Sequence, residues 1–274
     1  MLECLNNLYN KSTQRIDLNS KDIIRLDYMS TSKGNQPKYY DLSSKSYIKG
    51  QFEYQGIKWK DYIVENLSSI IGSQLNTDIS IVEQEIVKLS DGTMGVISKD
   101  FAINKQWVPM IKFGECKPLL KDIGKSFKVY NSLIKILSNT GIDENLIREY
   151  FMCMIILDFL LGNEDRHYNN FGILRDINSG DYEIAPLFDF GLGLFECDRK
   201  YLNKPIDEAI QLIEGKPFDR DIQKPVDMLI NVEGKDRVRY LCKDIRVPEK
   251  DKFPSELGYQ YFLKSYDYLN WRIQ

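Results

Sequence analysis

The stretch from Leu160 to Phe195, LLGNEDRHYNNFGILRDINSGDYEIAPLFDFGLGLF, constrains this chain more than any other. It closes an apolar run, crowds charged side chains into the residues that follow, and ends on Asp189-Phe190-Gly191. Upstream, Glu144 to Leu161 reads as a helix whose second half is apolar nearly all round, which predicts a buried spine. That helix delivers the chain to Gly162 and the polar stretch. Ile173-Leu174-Arg175 and Tyr182-Glu183-Ile184 then flank Asn178-Ser179-Gly180-Asp181, the turn chemistry of a hairpin. A hairpin there brings Asn170 and Asp189 back together near its open end.

Asp165 stands five residues before Asn170, and Asp189 opens Asp-Phe-Gly after a short apolar segment. An acid, an amide five residues on and a second acid in DFG is the arrangement that positions a hydroxyl and holds two magnesium ions in protein kinases. The chemistry read from these residues is ATP-dependent phosphoryl transfer. Asp165 is the candidate acceptor for the substrate hydroxyl proton, and Asn170 and Asp189 are candidate Mg2+ ligands with hard oxygen donors. In isolation Asp165 also reads as a turn aspartate. Asn169 is a bystander, because the interval selects Asn170. His167 is the sole histidine and a poor base beside Arg166 when Asp165 is present. It is expected to brace the loop through a hydrogen bond to Asp189 or a backbone carbonyl. Two carboxylates and an amide leave no dedicated zinc site.

The first third reads as a small sheet region. Residues 1–28 contain a short strand or helical turn in LNSKDIIRLDYM. Ser30 to Lys38 is small and polar with one glycine, which suits either a surface loop or a phosphate-covering loop through Ser32, Lys33 and Gly34. Lys49 follows in a β-type stretch, and Asp61 to Gly72 has the helical period with Glu65 on it. A strand lysine followed by a glutamate in the next helix is how kinases fix a lysine on the α- and β-phosphates, so Lys49 and Glu65 are assigned those roles. Lys58, Lys60 and Glu53 compete for them. A partly exposed Lys49 is expected to add little to folding. Further strands are expected at Ile79–Val82, Glu85–Leu89 and Gly95–Phe101, with Asp91-Gly92 as a hairpin turn. Residues 97–101 are the candidate hinge, where the backbone of Ile97 and Lys99 would face adenine.

Bulk properties narrow the class. The 274 residues carry 37 basic and 40 acidic side chains, a net charge of -3, which argues against direct nucleic-acid binding. The apolar run Phe151–Leu161 is interrupted by Asp158 and is too short to span a bilayer. The start, with Glu3 and Asn6, lacks the pattern of a secretory signal, and five scattered cysteines suit reduced thiols, so a cytoplasmic location is expected. A helix over Ile123–Leu137 precedes the spine. After Tyr201, short helices are expected at Ile206–Ile213, Val226–Ile230, Arg237–Ile245 and Leu257–Leu269. Lys235, Arg237, Arg239, Lys243 and Arg246 form a basic run that suits a solvated face or a phosphate site.

Asn163-Glu164-Asp165-Arg166-His167-Tyr168-Asn169-Asn170-Phe171-Gly172, followed by Pro186-Leu187-Phe188-Asp189-Phe190, resembles the HipA-like serine/threonine kinases, a bacterial family that includes toxin–antitoxin kinases. The same order is distantly similar to phosphoinositide 3- and 4-kinases. The resemblance spans about residues 30–200 and implies an α+β, two-lobed protein-kinase-like fold. Residues 1–100 would form a small β-rich N-lobe with the phosphate loop, lysine and helix glutamate, and residues 101–274 a larger, mostly helical C-lobe. It implies ATP and Mg2+ as cofactors and a protein substrate with a serine or threonine acceptor. A small-molecule or phosphoinositide kinase, or a nucleotide-binding pseudokinase acting as a regulatory module, is the alternative. Only about 28 residues precede the loop, so the chain resembles short forms that lack the family's extra N-terminal subdomain. An antitoxin, or a separate small protein supplying that subdomain, is the implied partner. The resemblance also implies autophosphorylation in the loop, with Ser30, Thr31 and Ser32 as candidates.

Overall fold

The computed structural model describes residues 13–26, 36–196 and 198–274. The fold is mixed α+β, with a β-rich N-terminal region and a helical C-terminal region in a two-lobed kinase-like arrangement. The phosphate-loop residues Ser32, Lys33 and Gly34 lie outside the described residues, as do Ser30 and Thr31.

The N-terminal region is built on a six-stranded sheet in the order β1-β7-β8-β4-β3-β2. Its strands are β1 (Gln14–Ile16), β2 (Ile23–Arg25), β3 (Lys38–Asp41), β4 (Ser46–Gly50), β7 (Glu85–Leu89) and β8 (Met94–Lys99); β5 (Glu53–Tyr54) and β6 (Ile57–Lys58) form a separate two-stranded ribbon. All pairings in the large sheet are antiparallel except β1 with β7. Strand alternation sorts its residues to two faces. Ile48 pairs with Tyr39 and Ile97, and these three join Ile16, Val87 and Leu89 in a small apolar cluster on one face. Lys49 pairs with Lys38 and Val96, which puts all three on the other face.

Helix α1 (Asp61–Gly72) crosses that second face. It buries Val64, Leu67 and Ile71 in the same contiguous core as the helical region. The expected strand at Ile79–Val82 is instead extended chain with a single bridge, Ile81 to Leu187. Its edge groups go to the segment before Asp189: Val82 N donates to Leu187 O and Leu187 N to Ser80 O, both at 2.9 Å. The strand after Asp91-Gly92 ends at Lys99 rather than Phe101, because residues 101–104 turn into an unforeseen strand, β9 (Lys105–Pro109).

Strand β9 pairs with β10 (Gly172–Asp176), which in turn pairs with β11 (Tyr182–Ile184). The crossover from the sheet is therefore stitched directly to the hairpin that follows Asn170. Helix α2 (Ser126–Ser138) begins three residues later than the apolar period suggests, because Gly124 takes a left-handed φ of 99° just before it. Helix α3 (Glu144–Leu161) is the spine. The Asp143 side chain accepts from the N–H groups of Asn145 and Leu146 at its start. At its end Gly162, at φ 58°, turns the chain into the polar stretch, a position where a Cβ would press on the Tyr261 ring at 2.9 Å. From Met152 to Leu161 every residue of α3 is buried, as a helix apolar on all sides requires.

Four helices complete the chain: α4 (Ile206–Ile210), α5 (Gln223–Glu233), α6 (Lys235–Cys242) and α7 (Glu256–Ile273). The expected helices there agree in number and are displaced at their ends. Two members of the basic run are paired within the protein, Arg237 with Glu233 and Arg239 with Asp236 and the carbonyls of Ile273 and Gln274, while Lys235, Arg239, Lys243 and Arg246 lie on the exposed surface. No helix among the described residues is long and apolar enough to cross a membrane.

Candidate active site

Lys49, next to the last residue of β4, extends toward two carboxylates. Its Nζ is ion-paired with Glu65 Oε1 and lies 2.7 Å from Asp189 Oδ1. Glu65 is fully buried on α1, Lys49 is mostly buried, and Asp189 keeps part of its carboxylate open to solvent. Burial opposes the charge on Lys49, but Asp189 and Glu65 outweigh it and hold the ammonium above the ordinary lysine value. Burial likewise favours a neutral Asp189, yet Lys49, then Lys38 and Arg166, hold it well below the usual carboxylate range. Both groups are therefore charged across the neutral range.

Glu65 has a second task. Its Oε2 accepts from Phe190 N at 3.2 Å and from Gln84 Nε2 at 3.4 Å. Gly191 approaches so closely that a Cβ there would sit 3.1 Å from Glu65 Oε1. Asp189 itself takes φ 64°, a left-handed conformation that aspartate tolerates better than most residues.

The polar loop after α3 is held by its own members. Asn163 Nδ2 donates to Asp158 Oδ1 at 2.7 Å, and Asn163 Oδ1 accepts from Asp165 N. Asn170 is buried; its Nδ2 donates to Asp165 O and its Oδ1 accepts from His167 N, both at 3.0 Å. Thus Asp165 and Asn170 are tied through main chain, and one lone pair of Asn170 Oδ1 is still free of that bond. His167 departs from the brace expected of it. It is half exposed, its Nδ1 accepts from Asn169 N at 3.3 Å, and its Nε2 lies 3.9 Å from Asp165 Oδ2. It faces the candidate base rather than Asp189.

Arg166 is fully buried. It forks onto Asp158 and donates to the carbonyls of Asn170 and Phe188, with its guanidinium 4.4 Å from the centre of the Phe190 ring. One side chain thereby joins the spine, the Asp165 loop and the Asp189 segment.

Among the hinge residues, Ile97 packs into the opposite-face cluster, and the Lys99 ammonium donates to Ser44 O. Any contact of these two with a nucleotide runs through backbone, whereas Val96 and Ser98 share the Lys49 face. The sequence places Lys38 at the end of the polar loop but not opposite Lys49, and gives no sign of Val96 or of the trio Phe101, Trp107 and Phe188. Those three rings lie 5.3 to 6.0 Å apart beside Asp189. The register signal for Lys38 is the strand pairing, which periodicity alone does not give. Burial and the Lys49 charge lower the Lys38 pKa, with Asp189 and Glu65 acting the other way.

Among the described residues no cluster of three or more His, Cys, Asp or Glu side chains forms a metal cage. One carboxylate and one amide fit Mg2+, which keeps most of its shell for water and substrate phosphates.

No family model matches the chain. In sequence it is 31% identical over 115 residues to the serine/threonine-protein kinase CtkA of Helicobacter pylori, a match covering 42% of this chain and 35% of that protein. The aligned part is thus about a third of the curated relative's length. In structure it aligns with the crystal structure of the Helicobacter pylori proinflammatory kinase CtkA at a TM-score of 0.58 and 21% identity, covering 94% of this chain and 95% of that one. The chain resembles the HipA-like serine/threonine kinases. Shewanella oneidensis HipA, solved with HipB and operator DNA, aligns at a TM-score of 0.41 and 13% identity over 98% of this chain and 71% of that one. Within this kinase-like fold, the Lys49, Glu65 and Asp189 contacts join the sheet, α1 and the segment that follows the β10–β11 hairpin.

Proposed function

We propose that this chain is an ATP- and Mg2+-dependent kinase that transfers a phosphoryl group to a serine or threonine hydroxyl of a protein. The observation that carries the reading is Lys49 held between Glu65 and Asp189, each from a different element. A buried carboxylate behind the lysine fixes the ammonium, and a half-open carboxylate in front leaves room for phosphate charge. The sequence match to a serine/threonine-protein kinase supports a protein hydroxyl as the acceptor.

In this mechanism Lys49, with Lys38 beside it, binds the phosphates of ATP. Asp189 and Asn170 would hold Mg2+, whose chemistry there is neutralisation of charge on the transferring group. Asp165 takes the proton of the acceptor hydroxyl as its oxygen bonds to the γ-phosphorus and ADP leaves. Asn170 fixes the Asp165 main chain, and the backbone of residues 97–101 faces the base. The N-terminal part, 1–100, supplies nucleotide contacts and residues 101–274 supply the base and metal ligands. The family resemblance is what supports a toxin–antitoxin setting, with an antitoxin or small N-terminal-subdomain-like protein as partner.

Incubation with labelled ATP, Mg2+ and casein, read for label on casein and on the protein itself, tests the proposal. Label is expected with the wild type and lost in Asp189→Ala. Undiminished transfer in that variant would sink the assignment.

A further inference from the structure

The Lys49–Glu65 pair depends on where α1 sits, and the start of α1 is anchored by polar contacts at Asp61 and Lys60. Asp61 Oδ1 accepts from Phe52 N and Oδ2 from Gln36 Nε2, both at 2.8 Å. On the opposite side, the buried carboxylate of Glu196 accepts from Lys60 N at 2.8 Å, the residue that leads into the helix. Lys60 Nζ then reaches Pro254 O at 2.9 Å.

Glu196 belongs to the segment that begins at Asp189. That segment grips α1 twice: Phe190 N on the Glu65 side chain, and Glu196 on the Lys60 amide. Its own shape is fixed at a conformational cost. Leu194 and Phe195 both take left-handed φ, 49° and 68°, which bulky residues adopt only when the surroundings over-determine them. Those surroundings are present. Leu194 N donates to Leu161 O at 2.6 Å, and the Phe195 ring lies 4.8 Å from Tyr201 and 5.4 Å from Tyr261. Tyr201 and Lys200 are in turn held by Glu164, next to Asp165. Arg166, bonded to Asp158 and the carbonyls of Asn170 and Phe188, meets this segment through the face of the Phe190 ring and leaves the Lys60 amide to Glu196.

We propose that Glu196 is a positioning residue: its buried carboxylate holds the first turn of α1 against the strained turn after Asp189 and thereby sets the Glu65–Lys49 pair. This rests on the kinase reading above. The segment is assembled by carboxylates already in the chain, and the Glu196 contact links the metal-ligand segment to the lysine without any added phosphate.

The test uses the full chain as wild type, Glu196→Ala, Glu196→Asp, Glu196→Gln, Glu65→Gln and the Glu65→Gln/Glu196→Ala double variant. Amide hydrogen exchange over residues 60–66 is read together with kcat/KM for ATP in casein labelling. Glu196→Ala should speed exchange in 60–66 and lower kcat/KM roughly tenfold, the scale of one lost charge-assisted hydrogen bond. Glu196→Gln keeps an acceptor oxygen and should restore both readings. Glu196→Asp is too short to reach Lys60 N and should behave as a milder loss, which serves if the alanine variant does not fold. In the Glu65→Gln background, Glu196→Ala should cost little more, because the group it acts through is already impaired. Unchanged exchange over 60–66, or a full additive loss in the double variant, overturns the proposal. A wild type that labels nothing removes the kinase reading, and the exchange comparison still decides whether Glu196 holds α1.

Discussion

Arg166 lies across Asp158 with Nη2 2.8 Å from Oδ1 and Nε 2.9 Å from Oδ2, and both residues are buried. A pair of this kind costs much to bury, but breaking it costs more, because one charge is left without a partner. Arg166→Ala or Asp158→Ala should therefore lose about 3–5 kcal/mol of stability. Replacing both by Met and Leu should cost less than the two single losses together. Urea unfolding of the three variants checks this, and single losses under about 1 kcal/mol would contradict it.

Lys49→Ala is expected from the sequence to leave the fold nearly untouched. The structure reverses that expectation, because Glu65 is fully buried and Lys49 is its cation. The variant should lose stability on the order of 3 kcal/mol as well as at least about 100-fold in transfer. Lys49→Ala/Glu65→Gln should recover much of the stability and none of the activity. Thermal melts beside ATP labelling separate the two effects, and normal turnover in Lys49→Ala would displace Lys49 from its role.

Asp61 sets a pH dependence. Burial pushes its carboxyl up to about 7, against the Phe52 N–H bond and the Lys49 charge, with Glu65 adding to the rise. The folded protein then binds this proton more tightly than the unfolded chain. Stability contributed by the proton is complete below about pH 4 and declines as pH rises to about 7. Asp61→Asn keeps both hydrogen bonds if Gln36 turns its amide round. It should be more stable than wild type at pH 8, by up to about 4 kcal/mol in urea unfolding, with the gap closing toward pH 4. A gap that is the same at both pH values would refute the buried-charge account.

Ser30, Thr31 and Ser32 lead into Gln36, which α1 holds through Asp61. A phosphate on any of the three adds about -1.5 to -2 charges, which would oppose the phosphates of ATP if this segment is the phosphate loop that the family resemblance implies. Protein made with Asp165 intact should carry phosphate on residues 30–32 and bind ATP weakly, whereas Asp165→Asn should carry none. Mass spectrometry decides, and equal amounts in both would remove self-modification while leaving the kinase proposal in place.

Elements with local causes are legible in the amino-acid sequence. The spine Glu144–Leu161 is readable to the residue, because an apolar run entered from a capping aspartate and left through a glycine has few alternatives. The β10–β11 hairpin is legible from its Asn-Ser-Gly-Asp turn. Strand β9 escapes such reading because KQWVP has no alternation and is a strand only through its partner β10. The same limit hides the pairing of Lys38 with Lys49: the lysine itself is legible at the end of the polar loop, but its place opposite Lys49 is a matter of register. Glu196 is invisible for a different reason: a lone glutamate gives no sign that a helix amide far along the chain needs an acceptor.

The burial of Val64, Leu67 and Ile71 in the helical core makes α1 a stiff joint rather than a passenger of the sheet. Swinging the sheet away with its helix would expose three apolar side chains, a penalty of roughly 5–9 kcal/mol by area. The hypothesis is that the cleft admits its nucleotide by rearrangement at its rim, with the sheet and spine keeping a constant separation. Spin labels on the sheet and on α2 should then report nearly the same distance with and without ATP and Mg2+, and a large shift would show that the joint bends.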